Sequence, residues 1–326
     1  MGPEIGGAPP APDALAAPQP AMAQAGRAGD KGRRGARPQR LGAVWRLLAR
    51  AMHHPRYALH VLATLARHPR LCGQALRHGW RQATLAYCAA LQPEIAALLS
   101  PYEAGFFGQV FLFDEYEIGR LRLPRHPVVL DIGANVGLFS WRVHALRPEA
   151  RILAFEPAGA NFERLQRTFE VLAIHGTPRH EACGAEAGTA TLFLRNSVTH
   201  SLDPGWHPDL DQGAGVETVA VVTVDLACQA RDIADVDVLK VDVEGAEDQV
   251  LAGATATLRR TRHVVLEYHS AALGRACRDL LAAAGFRCRT KHFWGVRAQG
   301  GDDEEGLLLC TRVLDLPAGS RSRTGG

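Results

Sequence analysis

Three short runs of this 326-residue chain combine residue types at spacings that can do chemistry. The first is Asp131-Ile132-Gly133-Ala134-Asn135-Val136-Gly137, preceded by apolar Val128-Val129-Leu130 and followed by a stretch of helical periodicity. A strand-to-helix turn of this kind needs glycine where a side chain would block the approach of backbone to a ligand. The second is Glu156, nineteen residues beyond Gly137 at the end of the next expected strand. A carboxylate there can accept hydrogen bonds from both hydroxyls of a ribose. A dinucleotide site would carry Gly-x-Gly-x-x-Gly and rest a pyrophosphate on the helix N-terminus. Here Asn135 and Leu138 stand at the second and third glycine positions, which suits a nucleoside without phosphates. Gly133, Asn135, Gly137 and Glu156 are the expected cofactor contacts. Asp131 either meets the cofactor's other end, directly or through water, or caps the helix and orders the loop.

The third run is Lys240-Val241-Asp242-Val243-Glu244. Its charged residues alternate at the end of an expected buried strand, so period two turns them to one side. Glu267 and His269 end the following strand and can face the same cleft. An acid or histidine there can align an acceptor hydroxyl and take its proton. Asp242, Glu244, Lys240 and His269 are thus the catalytic candidates. Asp242, Glu244, Glu267 and His269 could also form an oxygen-rich metal cluster, but no spacing is diagnostic for one ion, and no metal is assigned from the sequence. A structural alternative pairs Lys240 with Asp242, lets Glu244 cap the next helix and leaves His269 as a strand-end polar residue. His200, in a loop after an expected strand, is a further candidate, against an ordinary polar loop.

Placing these runs requires a framework. From Val128 onward, apolar segments of strand length alternate with amphipathic helical ones, the pattern of βαβ units around a mostly parallel sheet. Strands are expected over 128–131, 151–155, 189–195, 217–224, 236–243 and 263–268, with 287–293 and 306–311 as a closing hairpin joined by a loop at 299–305. Helices are expected over 137–146, 161–173, 246–258 and 271–284, the last ended by Gly285 in the left-handed conformation. Residues 106–113 alternate toward strand character before a polar turn at 114–117. Residues 41–99 read as short helices with proline at their starts, and His54-Pro55-Arg56 recurs as His68-Pro69-Arg70.

Val129 to Gly137, Phe155-Glu156-Pro157 and Leu239-Lys240-Val241-Asp242-Val243-Glu244-Gly245-Ala246-Glu247 together resemble the FkbM family of S-adenosylmethionine-dependent methyltransferases, over about residues 111–312. The resemblance implies a Rossmann-like class I methyltransferase fold, an α/β architecture with a seven-stranded, mostly parallel sheet flanked by helices. It implies S-adenosyl-L-methionine at the ends of the first two strands, Cys183 and Gly184 near the adenine, and methyl transfer to a hydroxyl on a sugar, glycolipid or natural product. A nicotinamide-dependent oxidoreductase is disfavoured by the missing third glycine. A non-catalytic scaffold is disfavoured by Lys240, Asp242 and Glu244, which it would have no chemical reason to keep.

Composition sets the outer limits. Residues 1–40 form a Pro/Ala/Gly-rich tail expected to be disordered, without the apolar core of a secretory signal. A small helical extension, 41–100, precedes a domain at 101–316 and a loose tail at 317–326. From Lys31 to Pro93 there are one Lys and eleven Arg with no acid, although the whole chain carries only +3. Such a surface can attract an anionic membrane or a phosphorylated acceptor, or simply be a helical cap with arginines facing water. No nucleic-acid module is apparent, so the expected partner is a small-molecule or glycan acceptor. The seven cysteines are odd in number and scattered. They suggest neither disulfide nor zinc site, and a cytoplasmic enzyme is expected.

Overall fold

The computed structural model describes residues 66–195, 199–203, 215–291 and 305–313. The expected tails, the helical stretch 41–65 with the first His-Pro-Arg triplet, and most of the loops 196–215 and 299–305 lie outside the described residues.

Helices α1 (Pro69–His78), α2 (Trp80–Leu91), α3 (Pro93–Leu98) and α4 (Pro101–Phe111) lead into the sheet. Proline opens three of them, at positions where its missing N–H has no helical partner to lose. Ser100 and Glu103 cap each other's backbone at the start of α4. Residues 106–113 are therefore mostly helix, not the strand their alternation suggested. The cap commits the backbone, and Phe107 stacks on Phe111 at 4.7 Å, a contact that helical spacing of four residues provides. Cys88, Ile95 and Phe107 are fully buried with Val136, Leu138 and Trp141, so the helical layer shares a core with the sheet domain.

The chain then alternates through β1 (Val128–Ile132), α5 (Leu138–Leu146), β2 (Arg151–Phe155), α6 (Gly159–Val171), β3 (Gly176–Arg179), β4 (Ala182–Cys183), β5 (Gly188–Phe193), β6 (Val216–Val222), α7 (Val224–Gln229), β7 (Val236–Val241), α8 (Glu247–Ala252), α9 (Thr255–Leu258), β8 (Thr261–Tyr268), α10 (Ala271–Ala283), β9 (Phe286–Lys291) and β10 (Gly306–Arg312). Seven strands form one sheet in the order β3-β2-β1-β7-β8-β10-β9, parallel except where β10 meets β8 and β9. This is the Rossmann-like α/β sheet expected of class I methyltransferases. Because successive side chains point to opposite faces, Leu130, Ile132, Leu239, Val241, Val264 and Leu266 pack toward α7 to α10. Val129, Val238 and Val265 pack on the other face, against Phe139 of α5, Leu165 of α6, Val110 of α4 and Tyr116. No helix among the described residues is long and apolar enough to cross a membrane.

Several expectations need correction. Residues 189–195 and 217–224 are largely strand, but they sit outside the main sheet as β5 and β6, with β4, in a separate three-stranded sheet. The single helix expected over 246–258 is broken into α8 and α9 around Gly253. A Cβ there would lie 2.1 Å from the Gly184 carbonyl oxygen, so close backbone contact replaces a helical turn. Gly285 does end α10 with φ +88°. Cys288 and Cys310 face each other across β9 and β10 and are joined by a disulfide. Strand register brings together two cysteines whose sequence spacing carried no signal.

Candidate active site

β1 has β2 on one side and β7 on the other, so the winding of the chain reverses between β1 and β7. In an open α/β sheet that reversal leaves a crevice beyond the C-terminal strand ends. A cleft lies there, lined by the turn 132–136, Glu156, the segment 181–183, Asp242 and Glu244, together with Phe106 and Val110 of α4.

The turn after β1 is built by close approach. Gly133 has φ +74°, and a Cβ on it would lie 1.7 Å from the Asp242 carbonyl oxygen. Gly137, at φ +85°, starts α5 where a Cβ would come within 2.9 Å of Leu165 Cδ1. Asn135 is also left-handed, at φ 50°, and its side-chain oxygen accepts the Val136 N–H at 2.7 Å. Glu156 is tied to this turn. Its Oε2 accepts the Asn135 N–H at 2.8 Å and its Oε1 the Ala158 N–H at 2.9 Å. Burial pushes its carboxyl up to about 7, although those two N–H groups and Lys240 pull the other way.

Asp131 does not line the cleft. It is fully buried, its Oδ2 accepts the Ser140 hydroxyl at 2.7 Å, and Lys240 Nζ stands 3.4 Å from its Oδ1. Register is the reason: Asp131 pairs directly with Lys240 across the parallel β1 and β7. The expected contact with a cofactor therefore gives way to a role in holding the turn. Lys240 Nζ also donates to the Gly133 carbonyl at 2.6 Å and lies 3.2 Å from Asp242 Oδ2. Burial alone would lower the pKa of this ammonium, but Asp242 and Asp131 hold it above the ordinary value.

Lys240, Asp242 and Glu244 do not share one strand face, because β7 ends at Val241 and Glu244 is left-handed at φ 55°. They converge all the same. His269 Nε2 lies 3.7 Å from Asp242 Oδ1, 3.5 Å from Glu244 Oε2 and 3.6 Å from Glu267 Oε1. Its Nδ1 is 2.8 Å from Glu247 Oε1. Burial lowers the pKa of this ring, but Glu244 and Glu247 outweigh it and the imidazolium is favoured well above the usual range. His269 is buried and does not line the cleft itself, whose wall at this point is formed by Asp242, Glu244 and Glu267. Glu244 does not cap α8, whose N-cap, Ala246, has no side-chain cap.

Sequence reasoning missed Tyr116 and Glu103. Tyr116 OH donates to Glu267 Oε2 at 3.2 Å, and both residues line the cleft. Burial, then Asp242, raises the Glu267 carboxyl well above the carboxylate range. Glu103 reaches the cleft from α4 and pairs with Arg164 at 2.9 Å. The Ser-x-x-Glu spacing could have located α4, but nothing local links it to residues far along the chain. His200 lines the cleft, its Nδ1 accepting the Arg195 N–H at 3.0 Å. Cys183 lines it too, buried at the end of β4, whereas Gly184 does not.

Comparison with known proteins follows the same segments. The model of the Methyltransferase FkbM domain matches residues 131–288. The chain is 32% identical over 191 residues to the 31-O-demethyl-FK506 methyltransferase FkbM of Streptomyces tacrolimicus, covering 49% of this chain and 72% of that one. It is 31% identical over 199 residues to Methyltransferase sdnD of Sordaria araneosa, covering 52% and 76%. With Methyltransferase 1 of Beauveria bassiana it shares 29% over 163 residues, 44% of this chain and 64% of the relative. The matched region runs from the glycine turn through the Lys240 to Glu247 cluster, the parts that build the cleft, and on this ground the chain belongs to the FkbM methyltransferase family and is a methyltransferase.

Proposed function

We propose that the chain is an S-adenosyl-L-methionine-dependent O-methyltransferase acting on a hydroxyl of a sugar, glycolipid or natural product. The observation that carries this reading is the coupling of Glu156 to the glycine turn. Where a dinucleotide would place a pyrophosphate against backbone N–H groups at the start of the first helix, the Asn135 N–H is already held by a carboxylate. A phosphate would meet that negative charge, whereas ribose hydroxyls can donate to it. The donor set fits an adenosyl cofactor: Gly133 lets the turn close against the Asp242 carbonyl, Glu156 is at the strand end, and apolar Phe155, Cys183 and Leu192 line the cleft. Gly133, Asn135 and Glu156 would hold the cofactor, which supplies an activated methyl group when bound, whereas Gly137 packs against Leu165 and Thr168, does not line the cleft, and would shape the turn.

The chain's own residues then have to orient the acceptor and manage its proton. Asp242 and Glu244, partly open to the cleft, accept the acceptor's hydroxyl hydrogen bonds. Lys240 fixes Asp242 and the Gly133 carbonyl relative to each other, and His269 holds the two acids at one spacing. The relative named for 31-O-demethyl-FK506 supports a natural-product hydroxyl as the acceptor class. We further propose peripheral contact to anionic membrane through the exposed Arg67, Arg70, Arg77 and Arg81. Calorimetric titration with S-adenosylhomocysteine and with NAD tests the central reading. Binding of the first alone is expected, and heat from NAD alone would overturn it.

A further inference from the structure

We propose that Asp242, Glu244 and His269 hold a divalent cation at the inner wall of the cleft. One oxygen of each carboxylate and one ring nitrogen of His269 lie within 4.8 Å of one another. The separations from His269 Nε2, 3.7 Å to Asp242 Oδ1 and 3.5 Å to Glu244 Oε2, exceed those of direct charge-assisted hydrogen bonds, about 2.8 Å. They suit atoms gathered around one ion at about 2.0–2.6 Å from each.

The far side of the ring is prepared for this. Glu247 Oε1 lies 2.8 Å from His269 Nδ1 and also accepts the Gly245 N–H at 3.0 Å. A carboxylate on the second nitrogen of a histidine fixes the ring and directs the first nitrogen as a ligand, and the ion would displace the proton from Nε2 to the solvent as it binds. Glu247 is itself fully buried, and its Oε2 finds no hydrogen-bond donor among the described residues. Charge points the same way. Asp131, Asp242, Glu244 and Glu247 are gathered around Lys240 and one imidazole. Burying excess negative charge is costly, and a divalent cation offsets it.

Access is open on one side only. The Asp242 and Glu244 side chains are 22% and 18% exposed, against 4% for His269. Coordination positions on the cleft side remain for water or for an acceptor's oxygens. One imidazole with two carboxylates suits Mn²⁺ or Zn²⁺ better than Ca²⁺. That the cation would bind the acceptor rests on the methyl-transfer reading. The cation site itself does not.

The test is calorimetric titration of chelator-treated full-length protein with Mn²⁺ and with Zn²⁺. One ion per chain is expected. Glu247→Gln should weaken binding about 10- to 100-fold by loosening the ring, and Asp242→Asn with Glu244→Gln should abolish it, with melting curves reporting that each variant is folded. Absence of binding to the unmodified chain at millimolar metal would overturn the proposal without recourse to any variant. Unchanged affinity in the folded double variant would overturn it as well. Titration with S-adenosylhomocysteine in chelator separates the two readings: cofactor binding without metal binding sinks only the cation, and the reverse sinks only methyl transfer.

Discussion

At the scale of single residues, the candidate site places ionisable groups where their neighbours shift their protonation. Glu156 is the sharpest case, its carboxyl raised from 4.5 to about 7 by burial. A group whose folded value is raised stabilises the fold fully below its unfolded value and loses that contribution as pH rises through the folded one. Glu156 should therefore favour folding most below about pH 4.5 and least above about 7. Ligand hydroxyls donate to the ionised form, so affinity for S-adenosylhomocysteine should rise with pH and level off above about 7. Titrations from about pH 5.5 to 8 read this directly. Glu156→Gln should flatten the profile and weaken binding at least ~10-fold, since a hydrogen bond to a charged group contributes ~1.5–3 kcal/mol. A profile unchanged by the substitution would place the ribose elsewhere. Asp242→Asn should act differently, keeping cofactor affinity while lowering turnover with an accepted hydroxyl substrate ~10²- to 10⁴-fold. Were Asp242 only structural, melting temperature and cofactor affinity would fall together with turnover.

At the scale of elements, the turn between β1 and α5 decides whether a cleft exists. Its two glycines are not equivalent. At Gly133 an added Cβ meets backbone, the Asp242 carbonyl oxygen at 1.7 Å, in a left-handed conformation. At Gly137 the nearest atom, at 2.9 Å, is the end of the Leu165 side chain, which can move. Gly133→Ala should cost more than about 4 kcal/mol and abolish ligand binding, whereas Gly137→Ala should cost about 1–2 kcal/mol. Denaturant melts of the two variants rank them, and equal losses would mean that β1 and β7 can part without penalty. The same run of residues displays the limits of local reading. Asp131, Gly133 and Lys240 were recognisable as important from type and spacing, but their roles followed from the β1 to β7 register. Asp131 and Lys240 became the internal ion pair that supports the turn.

At the scale of the whole molecule, the cleft is a joint product of distant segments. α4 and Tyr116 come from before the sheet, Glu267 from near its end, and they meet in one wall. The closing hairpin is fastened by Cys288 and Cys310, 22 residues apart. A cross-link closing a loop of that length is worth about 3 kcal/mol on the chain-entropy account. Reduction should lower the melting temperature, and alkylation under denaturing conditions should label two more cysteines after reductant than before. Equal labelling with and without reductant would show the two thiols to be unlinked.

Sequence alone determined the class of fold and the family. Alternating strand and helix periods require a βαβ sheet, and the glycine turn, Glu156 and the Lys240 to Glu244 run fall together around one cleft at its end. These signals are legible because they are local: each depends on spacing along one strand or turn. Tertiary structure decided what depends on register and on contacts between remote segments. It withdrew Asp131 from the cleft, turned 106–113 into helix, moved β5 and β6 out of the main sheet and joined two scattered cysteines. It also put His269 behind carboxylates of the cleft wall. No spacing encodes those outcomes, because they are set by which strands become neighbours and which buried charges must then find partners.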